Sequence, residues 1–223
     1  MHIETQLLPL QHLEFAPKLL ARHNEWLVLE FYNAPEAKRT NTKEFWWKLG
    51  KAIATLETVK AAVADTRFTC ESNPVSNLRE FAQEANEYLL ERQFISKKTS
   101  IIITESLCVV PDTYCYGYLD LLAGNIIYSG GTLHLADEEG IARTIPGLSL
   151  IRPFDIWHQY KPGKGITNSE RNWLLDSYNA NGGDSKQLIT NEKKLRTIYY
   201  LLKTYDSIIS TGSSTESLKR LET

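Results

Sequence analysis

A histidine and an arginine in the second half of the chain, His158 and Arg171, are the residues whose types most clearly suit chemistry. His158 lies in residues 156–160, a short β-rich run that predicts a strand with alternating side chains. Arg171 begins residues 171–178, which are apolar on both faces and therefore predict a buried strand. A partly buried guanidinium needs a carboxylate or phosphate partner. That partner is either an acidic residue of the protein or a ligand, and His158 is either a hydrogen-bonded core histidine or a metal ligand.

The elements that would position these residues form a β-rich block. Residues 99–178 consist of short runs rich in Ile, Val, Leu, Tyr and Trp, separated by turn residues such as Gly130-Gly131, Pro146-Gly147 and Pro162-Gly163. About seven short strands with turn signals at this frequency are typical of a sandwich or barrel. Two helices before such a block indicate an α+β domain with helices covering one face of the sheet.

Helical patterns flank the block on both sides. A strand at residues 25–32 precedes a first helix, which Thr42 can cap. A second helix follows Pro74 and has an acidic face that we interpret as solvated surface. The periodic positions are Phe45, Leu49, Ile53, Leu56 and Val63 in the first helix, Leu78, Phe81, Ala85, Tyr88 and Leu89 in the second, with Glu80, Glu84, Glu87 and Glu91 opposite them, and Leu195, Ile198, Tyr199, Leu202, Tyr205 and Ile209 in the last.

These segments predict one compact domain. Residues 1–98 would form a strand and helices that pack on the sheet, and residues 99–183 the β-rich core. Residues 184–209 would form the C-terminal helix. Residues 210–223 are rich in Ser and Thr and predict a flexible tail.

Composition excludes some classes of protein. With 223 residues, of which 42% are hydrophobic and 23% charged, the chain is long enough to bury a sizeable core. The net charge of −2 does not indicate nucleic acid or an anionic membrane as a partner, although a local basic patch could still bind nucleic acid. The three cysteines lack the paired spacing of a zinc site, and we find neither a signal peptide nor a membrane span. We therefore expect an intracellular protein, cytoplasmic or nuclear.

The order of several motifs resembles a known enzyme family. Gly130-Gly131, Pro146-Gly147, His158 with Pro162, and Glu170-Arg171 follow one another as in the C-terminal half of a prolyl-hydroxylase-like Fe(II)/2-oxoglutarate dioxygenase. The resemblance implies a double-stranded β-helix, also called a jelly roll, with Fe(II) and 2-oxoglutarate as cofactors. It also implies hydroxylation of a substrate that the sequence does not identify.

The resemblance assigns three residues. His158 would be the distal iron ligand, Asp112 the carboxylate ligand, and Arg171 the residue that binds the far carboxylate of 2-oxoglutarate. Imidazole suits iron, and a guanidinium matches a carboxylate in two hydrogen bonds. However, Val110 occupies the position of the family's first histidine, and Trp173 would crowd the 2-oxoglutarate pocket. The chain is therefore either an active dioxygenase or a catalytically silent relative.

A cupin-like sensor or binding module is a second interpretation. Gly147, Pro153 and His158 also resemble the second cupin motif, and cupins share the double-stranded β-helix. The first cupin motif, His-x-His, is absent. In either β-helical interpretation the partner is a small molecule, and the sequence determines neither the primary substrate nor the oligomeric state.

A nuclease is a third interpretation. Clustered carboxylates can hold the Mg²⁺ that catalyses phosphodiester hydrolysis, and four acidic residues resemble a PD-(D/E)xK arrangement. The same acidic stretch at residues 137–140 is also typical of an ordinary hairpin turn. His134 is likewise either a plain strand residue or a ligand. The four acidic residues are Glu105, Asp120, Asp137 and Glu139.

Overall fold

The structure is a computed structural model, and it describes residues 8–23, 26–30, 42–61, 78–111, 114–136, 140–157, 164–212 and 216–222. Helices make up most of the regular structure in these ranges. They are α1 (Lys43–Thr58), α2 (Leu78–Glu91), α3 (Lys97–Ser106), α4 (Ile151–Asp155), α5 (Asn168–Ala180), α6 (Ser185–Thr211) and α7 (Glu216–Glu222). Among the helices that the structure describes, none combines the length and apolar character needed to span a bilayer.

The strands form small antiparallel sheets. β1 pairs with β2, β5 pairs with β6, and β4 lies between β3 and β7. All five residues of β4 are buried, so this strand runs through the core. The bounds are β1 (Leu19–His23), β2 (Trp26–Leu29), β3 (Lys60–Ala61), β4 (Tyr114–Tyr118), β5 (Ile126–Ser129), β6 (Thr132–Leu135) and β7 (Ile141–Thr144).

The predicted double-stranded β-helix is wrong. The β-rich block contains strands β4 to β7, but segments that we expected to be strands are helices in the described part of the chain. Residues 171–178 belong to α5, whose start is a capping box between Thr167 and Glu170. The Thr167 hydroxyl accepts from the Glu170 N–H at 3.3 Å, and the Glu170 carboxylate accepts from the Thr167 N–H at 2.7 Å. The Thr-x-x-Glu signal was present in the sequence.

A second segment that we expected to be a strand is α3. Its run of three isoleucines suggested β structure, because branched side chains favour strands. The Ser96 hydroxyl caps the helix by accepting from the Thr99 N–H at 3.1 Å. Ile103 is fully buried whereas Ile101 is 59% exposed. A helical face that packs against α6 and α2 therefore outweighs the local propensity.

Other expectations are confirmed. Helix α1 begins after Thr42, whose hydroxyl accepts from the Phe45 N–H at 3.2 Å. The acidic face of α2 is exposed. Gly130 and Gly131 form the β5–β6 turn with φ of 57° and 80°, a region that favours glycine. The last long helix is present but begins at Ser185, where Asp184 caps it by accepting from the Gln187 N–H at 2.7 Å.

Helices α1 and α5 pack closely because of one glycine. A Cβ on Gly50 would lie 2.4 Å from the Leu174 carbonyl oxygen and 2.9 Å from the Ser177 Cβ. Real atoms do not approach so closely, so only glycine permits this crossing. The Ser177 hydroxyl also donates to the Trp47 carbonyl oxygen and ties the two helices together.

A buried glutamate lies at the end of this helix pair. Glu57 of α1 is only 6% exposed. The Gly147 N–H donates to its Oε1 atom at 2.8 Å, and the Tyr178 hydroxyl of α5 donates to Oε2. Burial raises the pKa of Glu57 from 4.5 to about 7, although these two hydrogen bonds and the charge of Lys60 act in the opposite direction.

Candidate active site

The loop of residues 119–125 leaves the buried strand β4 and leads into the β5–β6 hairpin. It brings together two polar side chains that are five positions apart, Asp120 and Asn125. The Asn125 Nδ2 group donates to the Asp120 carbonyl oxygen at 2.9 Å and to the carboxylate Oδ2 at 3.3 Å. These hydrogen bonds close the loop and bring the two side chains into contact.

Backbone hydrogen bonds from several elements hold the loop. The Leu119 N–H donates to the Gly140 carbonyl at 2.8 Å, and the Tyr199 hydroxyl of α6 donates to the Leu119 carbonyl at 3.0 Å. The Ala123 N–H donates to the Trp157 carbonyl at 3.1 Å. The two leucines that follow the aspartate are buried. An apolar anchor and fixed backbone hydrogen bonds thus hold a partly exposed acid in one position.

The two carboxylate oxygens of Asp120 face different parts of the molecule. Oδ2 accepts from Asn125 within the loop. Oδ1 accepts from the Arg152 guanidinium of α4, and the Lys203 Nζ of α6 lies 3.4 Å from the same atom. The Asp120 side chain is 29% exposed, so the group is reachable from solvent. Two cations from outside the loop therefore cover the oxygen that points away from Asn125.

A cavity of about 380 Å³ lies beside these cations, between α4, α6 and the start of α7. Its volume is in the range of sites for small molecules. Both Arg152 and Lys203 line it, so the cavity and Asp120 are neighbours. Charged and aromatic side chains make up much of the wall, and they include Arg152, Lys203, Tyr199, Tyr200, Asp206 and Glu216.

A second ionic network lies on the same side of α6. The Arg196 Nη2 atom is 3.0 Å from Asp155 Oδ1 and 2.8 Å from Glu192 Oε1. The Tyr200 hydroxyl donates to Asp155 Oδ2 at 2.9 Å. Burial raises the pKa of Asp155, against the opposing charge of Arg196. This network connects the end of α4 to α6 and so fixes the helix that carries Arg152.

Arg171, which we predicted to bind a cofactor, belongs to α5. Its guanidinium pairs with Glu192 of α6 and lies over the Phe154 ring, 4.3 Å from the ring centroid. An acidic residue of the protein therefore contacts the partly buried guanidinium. This contact links the arginine to the network of Asp155, and its ligand-binding role stays a prediction.

The predicted metal ligands Asp112 and His158 lie outside the described residues, so their roles also stay predictions. Within the described ranges, no group of three or more His, Cys, Asp and Glu side chains is placed to hold a metal ion. His134 lies on β6 opposite Ile127, and burial lowers its pKa. Of the acids in the nuclease pattern, Glu105 is exposed on α3, while Asp137 and Glu139 lie outside the described residues.

Comparison with known proteins identifies the class of fold. No family model and no curated protein sequence matches the chain. The Plasmodium vivax ethanolamine kinase Pv091845 superposes with a TM-score of 0.68 at 14% identity, over 99% of this chain and 69% of that one. The ADP-bound aminoglycoside phosphotransferase APH(2'')-Ib gives 0.64 at 13% identity, over 99% and 80%. The macrolide 2'-phosphotransferase MphH from Brachybacterium faecium gives 0.61 at 13% identity, over 98% and 78%. The fold is that of the kinase-like phosphotransferases.

These similarities overturn the functional part of the sequence analysis. The resemblance to an Fe(II)/2-oxoglutarate dioxygenase is wrong, and the cupin and nuclease interpretations fail with it, because the chain superposes on an ethanolamine kinase and two phosphotransferases. Fe(II) and 2-oxoglutarate are likewise contradicted as cofactors, since one of these structures contains ADP. The order of glycines, prolines, one histidine and one arginine was shared with the dioxygenases without any shared architecture.

A signal for the fold was present in the sequence. Protein kinases carry an aspartate and, five positions later, an asparagine in their catalytic loop. Asp120 and Asn125 have this spacing, and Asp137 is the first acidic residue after the β5–β6 hairpin in the sequence. Tyr118 stands where the kinase pattern has histidine. From the sequence we considered Asp120 only as a candidate metal-binding carboxylate, and we did not consider Asn125.

Proposed function

We propose that the protein transfers a phosphoryl group from a nucleoside triphosphate to a hydroxyl group of a small acceptor. The observation that carries this proposal is the contact of Asn125 Nδ2 with Asp120 Oδ2 at 3.3 Å, in a loop between a buried strand and a hairpin. This is the spacing and setting of the aspartate and asparagine in a kinase catalytic loop. The names of the structures with the same fold, an ethanolamine kinase and two phosphotransferases, support it.

Asp120 would accept the proton of the acceptor hydroxyl. Its carboxylate is reachable from solvent. Its backbone is held in place because the adjacent Leu119 N–H donates to the Gly140 carbonyl and Asn125 donates to the Asp120 carbonyl. Positioning is most of what a phosphotransferase needs, because the protein takes little covalent part in the reaction. A rigid loop with an apolar anchor therefore suits the role, since it holds the carboxylate without a cost of reorganisation.

Asn125 and Asp137 would hold Mg²⁺ with the nucleotide. Amide and carboxylate oxygens are the ligands that Mg²⁺ prefers, so the donor set fits the ion. The Asn125 Nδ2 group donates to Asp120. The amide oxygen of Asn125 is therefore the atom that would coordinate the metal. When bound, Mg²⁺ neutralises charge on the phosphates. Asn125 thus has two tasks, orienting the base and binding the ion.

The test is release of ADP from Mg-ATP in the presence of mixed alcohols, amino alcohols, hydroxy acids and polyols. Loss of the base in Asp120→Asn should lower the rate by about 10²–10⁴-fold. Asp176→Asn is the matched control, since Asp176 is an exposed aspartate on α5. It should retain the full rate. No ADP release by the unaltered protein, or equal release by Asp120→Asn, would refute the proposal.

A further inference from the structure

Two cations contact the Asp120 oxygen to which the acceptor hydroxyl would donate. Arg152 and Lys203 both contact Oδ1, the carboxylate oxygen on the side away from Asn125. Both residues also line the cavity of about 380 Å³, whereas Asp120 does not, so an acceptor in that cavity would reach this oxygen past the two cations. A hydroxyl that donates to Oδ1 must therefore share it with two cations or displace them.

We propose that the acceptor carries an anionic group next to the hydroxyl that is phosphorylated, and that Arg152 and Lys203 bind this group. This inference rests on the proposed function, because it gives the acceptor of the same reaction. The anionic group would replace Asp120 as the partner of the two cations, and Oδ1 would then accept the acceptor's hydroxyl proton. A guanidinium binds carboxylate or phosphate in two hydrogen bonds, and an ammonium group provides a point charge beside it.

The charges that line the cavity place the anion beside Arg152 and Lys203. The cavity follows α6 from Tyr199 to Ser210, which is about 16 Å at the rise of an α-helix. Its acidic residues, Asp206 and Glu216, line the wall beyond Lys203, and Glu216 is paired with Arg220 at 2.9 Å. Positive charge therefore faces Asp120, and negative charge lies farther along. An acceptor that is only cationic would meet Arg152 and Lys203 at the end where its hydroxyl must react.

The two cations differ in how firmly they are held. Arg152 pairs with Asp120, is joined to Tyr199 by a hydrogen bond and has a side chain that is 21% exposed. Lys203 extends from a long helix with its side chain 28% exposed, and it can move with a ligand. Arg152 would provide the fixed part of the anion site, and Lys203 the part that adapts.

The experiment measures binding without nucleotide, so that its outcome does not depend on phosphoryl transfer. Four three-carbon probes differ in one terminal group: glycerate has a carboxylate, glycerol 3-phosphate a phosphate, 3-amino-1,2-propanediol an ammonium group, and glycerol a hydroxyl. Titration followed by ligand-observed NMR should show binding of glycerate, glycerol 3-phosphate or both, and weaker binding of the amine and of glycerol. The stronger anion identifies the group as carboxylate or phosphate.

Variants test the named residues. Lys203→Met should weaken binding of the anion about tenfold, because a hydrogen bond between charged groups is lost. Asp120→Asn should tighten it by about 2- to 5-fold, because the competing carboxylate is removed from the two cations. Damage to the fold cannot produce that gain. Lys186→Met, an exposed lysine earlier on α6, is the control and should change nothing.

Three results would overturn the inference. They are binding of the amine as tight as that of either anion, no binding of either anion, and a Lys203→Met variant that loses affinity for ATP but not for the anion. The last result would assign the cations to the phosphates of the donor. Binding of an anion by a protein that releases no ADP would instead refute the proposed function and leave the anion site in place.

Discussion

Replacement of Glu57 by glutamine should change how the stability of the protein depends on pH. Glu57 is buried between α1, α5 and the turn at Gly147, and burial raises its pKa from 4.5 to about 7. The folded state therefore binds a proton on this group more strongly than the unfolded state does. The stabilisation is fully present below pH 4.5 and is lost as the pH rises through about 7.

The magnitude follows from the shift. Each pKa unit corresponds to about 1.4 kcal/mol, and the part of the shift that acts between pH 5 and pH 8 amounts to about 2–3 kcal/mol. Glutamine resembles the neutral acid, because its carbonyl can accept from the Gly147 N–H and its amide can donate to the Tyr178 oxygen. As the pH rises from 5 to 8, Glu57→Gln should gain about 2–3 kcal/mol of stability relative to the unaltered protein.

The assay is urea unfolding of both proteins at constant ionic strength from pH 5 to pH 8. The quantity of interest is the difference in the free energy of unfolding at each pH, because titration of groups such as Asp155 and His134 is common to both proteins and cancels. Glu87→Gln removes an exposed glutamate on α2 and should give a difference that does not change with pH. An equally flat difference for Glu57→Gln would refute the reasoning, since burial would then not have raised the pKa.

Two further changes test the packing and capping of α5. Gly50→Ala should lower the free energy of unfolding by about 1–3 kcal/mol, because the new Cβ would meet the Leu174 carbonyl, even though alanine favours helices by about 1 kcal/mol. Urea unfolding should show no such loss in Lys51→Ala, and a Gly50→Ala protein of unchanged stability would contradict the close crossing. Thr167→Ala should cost about 1 kcal/mol through loss of the cap on the Glu170 N–H, and Thr167→Ser should restore most of it. Equal losses in the two Thr167 variants would mean that the hydroxyl does not cap the helix.

Local signals predicted several elements correctly. Thr42 and the apolar spacing that follows it identified α1, because a cap and a helical period are properties of neighbouring residues. The Gly130-Gly131 turn identified the β5–β6 hairpin for the same reason, since positive φ angles favour glycine. These features do not depend on what the rest of the chain does.

Short buried apolar runs were assigned wrongly. Residues 171–178 and the isoleucines of α3 have both faces apolar or branched, and periodicity does not separate a buried strand from a buried helix at such lengths. The capping box of Thr167 and Glu170 decided the matter locally, and packing on α1 and α6 stabilised the result. The wrong strands then supported a wrong architecture, and this gave the resemblance to dioxygenases more weight than its motifs carried.

The candidate site is divided in the same way between sequence and tertiary structure. The sequence by itself determined the spacing of Asp120 and Asn125 and the turn after them, since six consecutive residues set that geometry. It could not show that Arg152, 32 positions away, and Lys203, 83 positions away, converge on one oxygen of Asp120. That convergence depends on where α4 and α6 pack against the loop, which burial of apolar surface decides across the whole domain. The sequence therefore contained the pattern that singles out Asp120, whereas only the fold determined that Arg152 and Lys203 lie beside it.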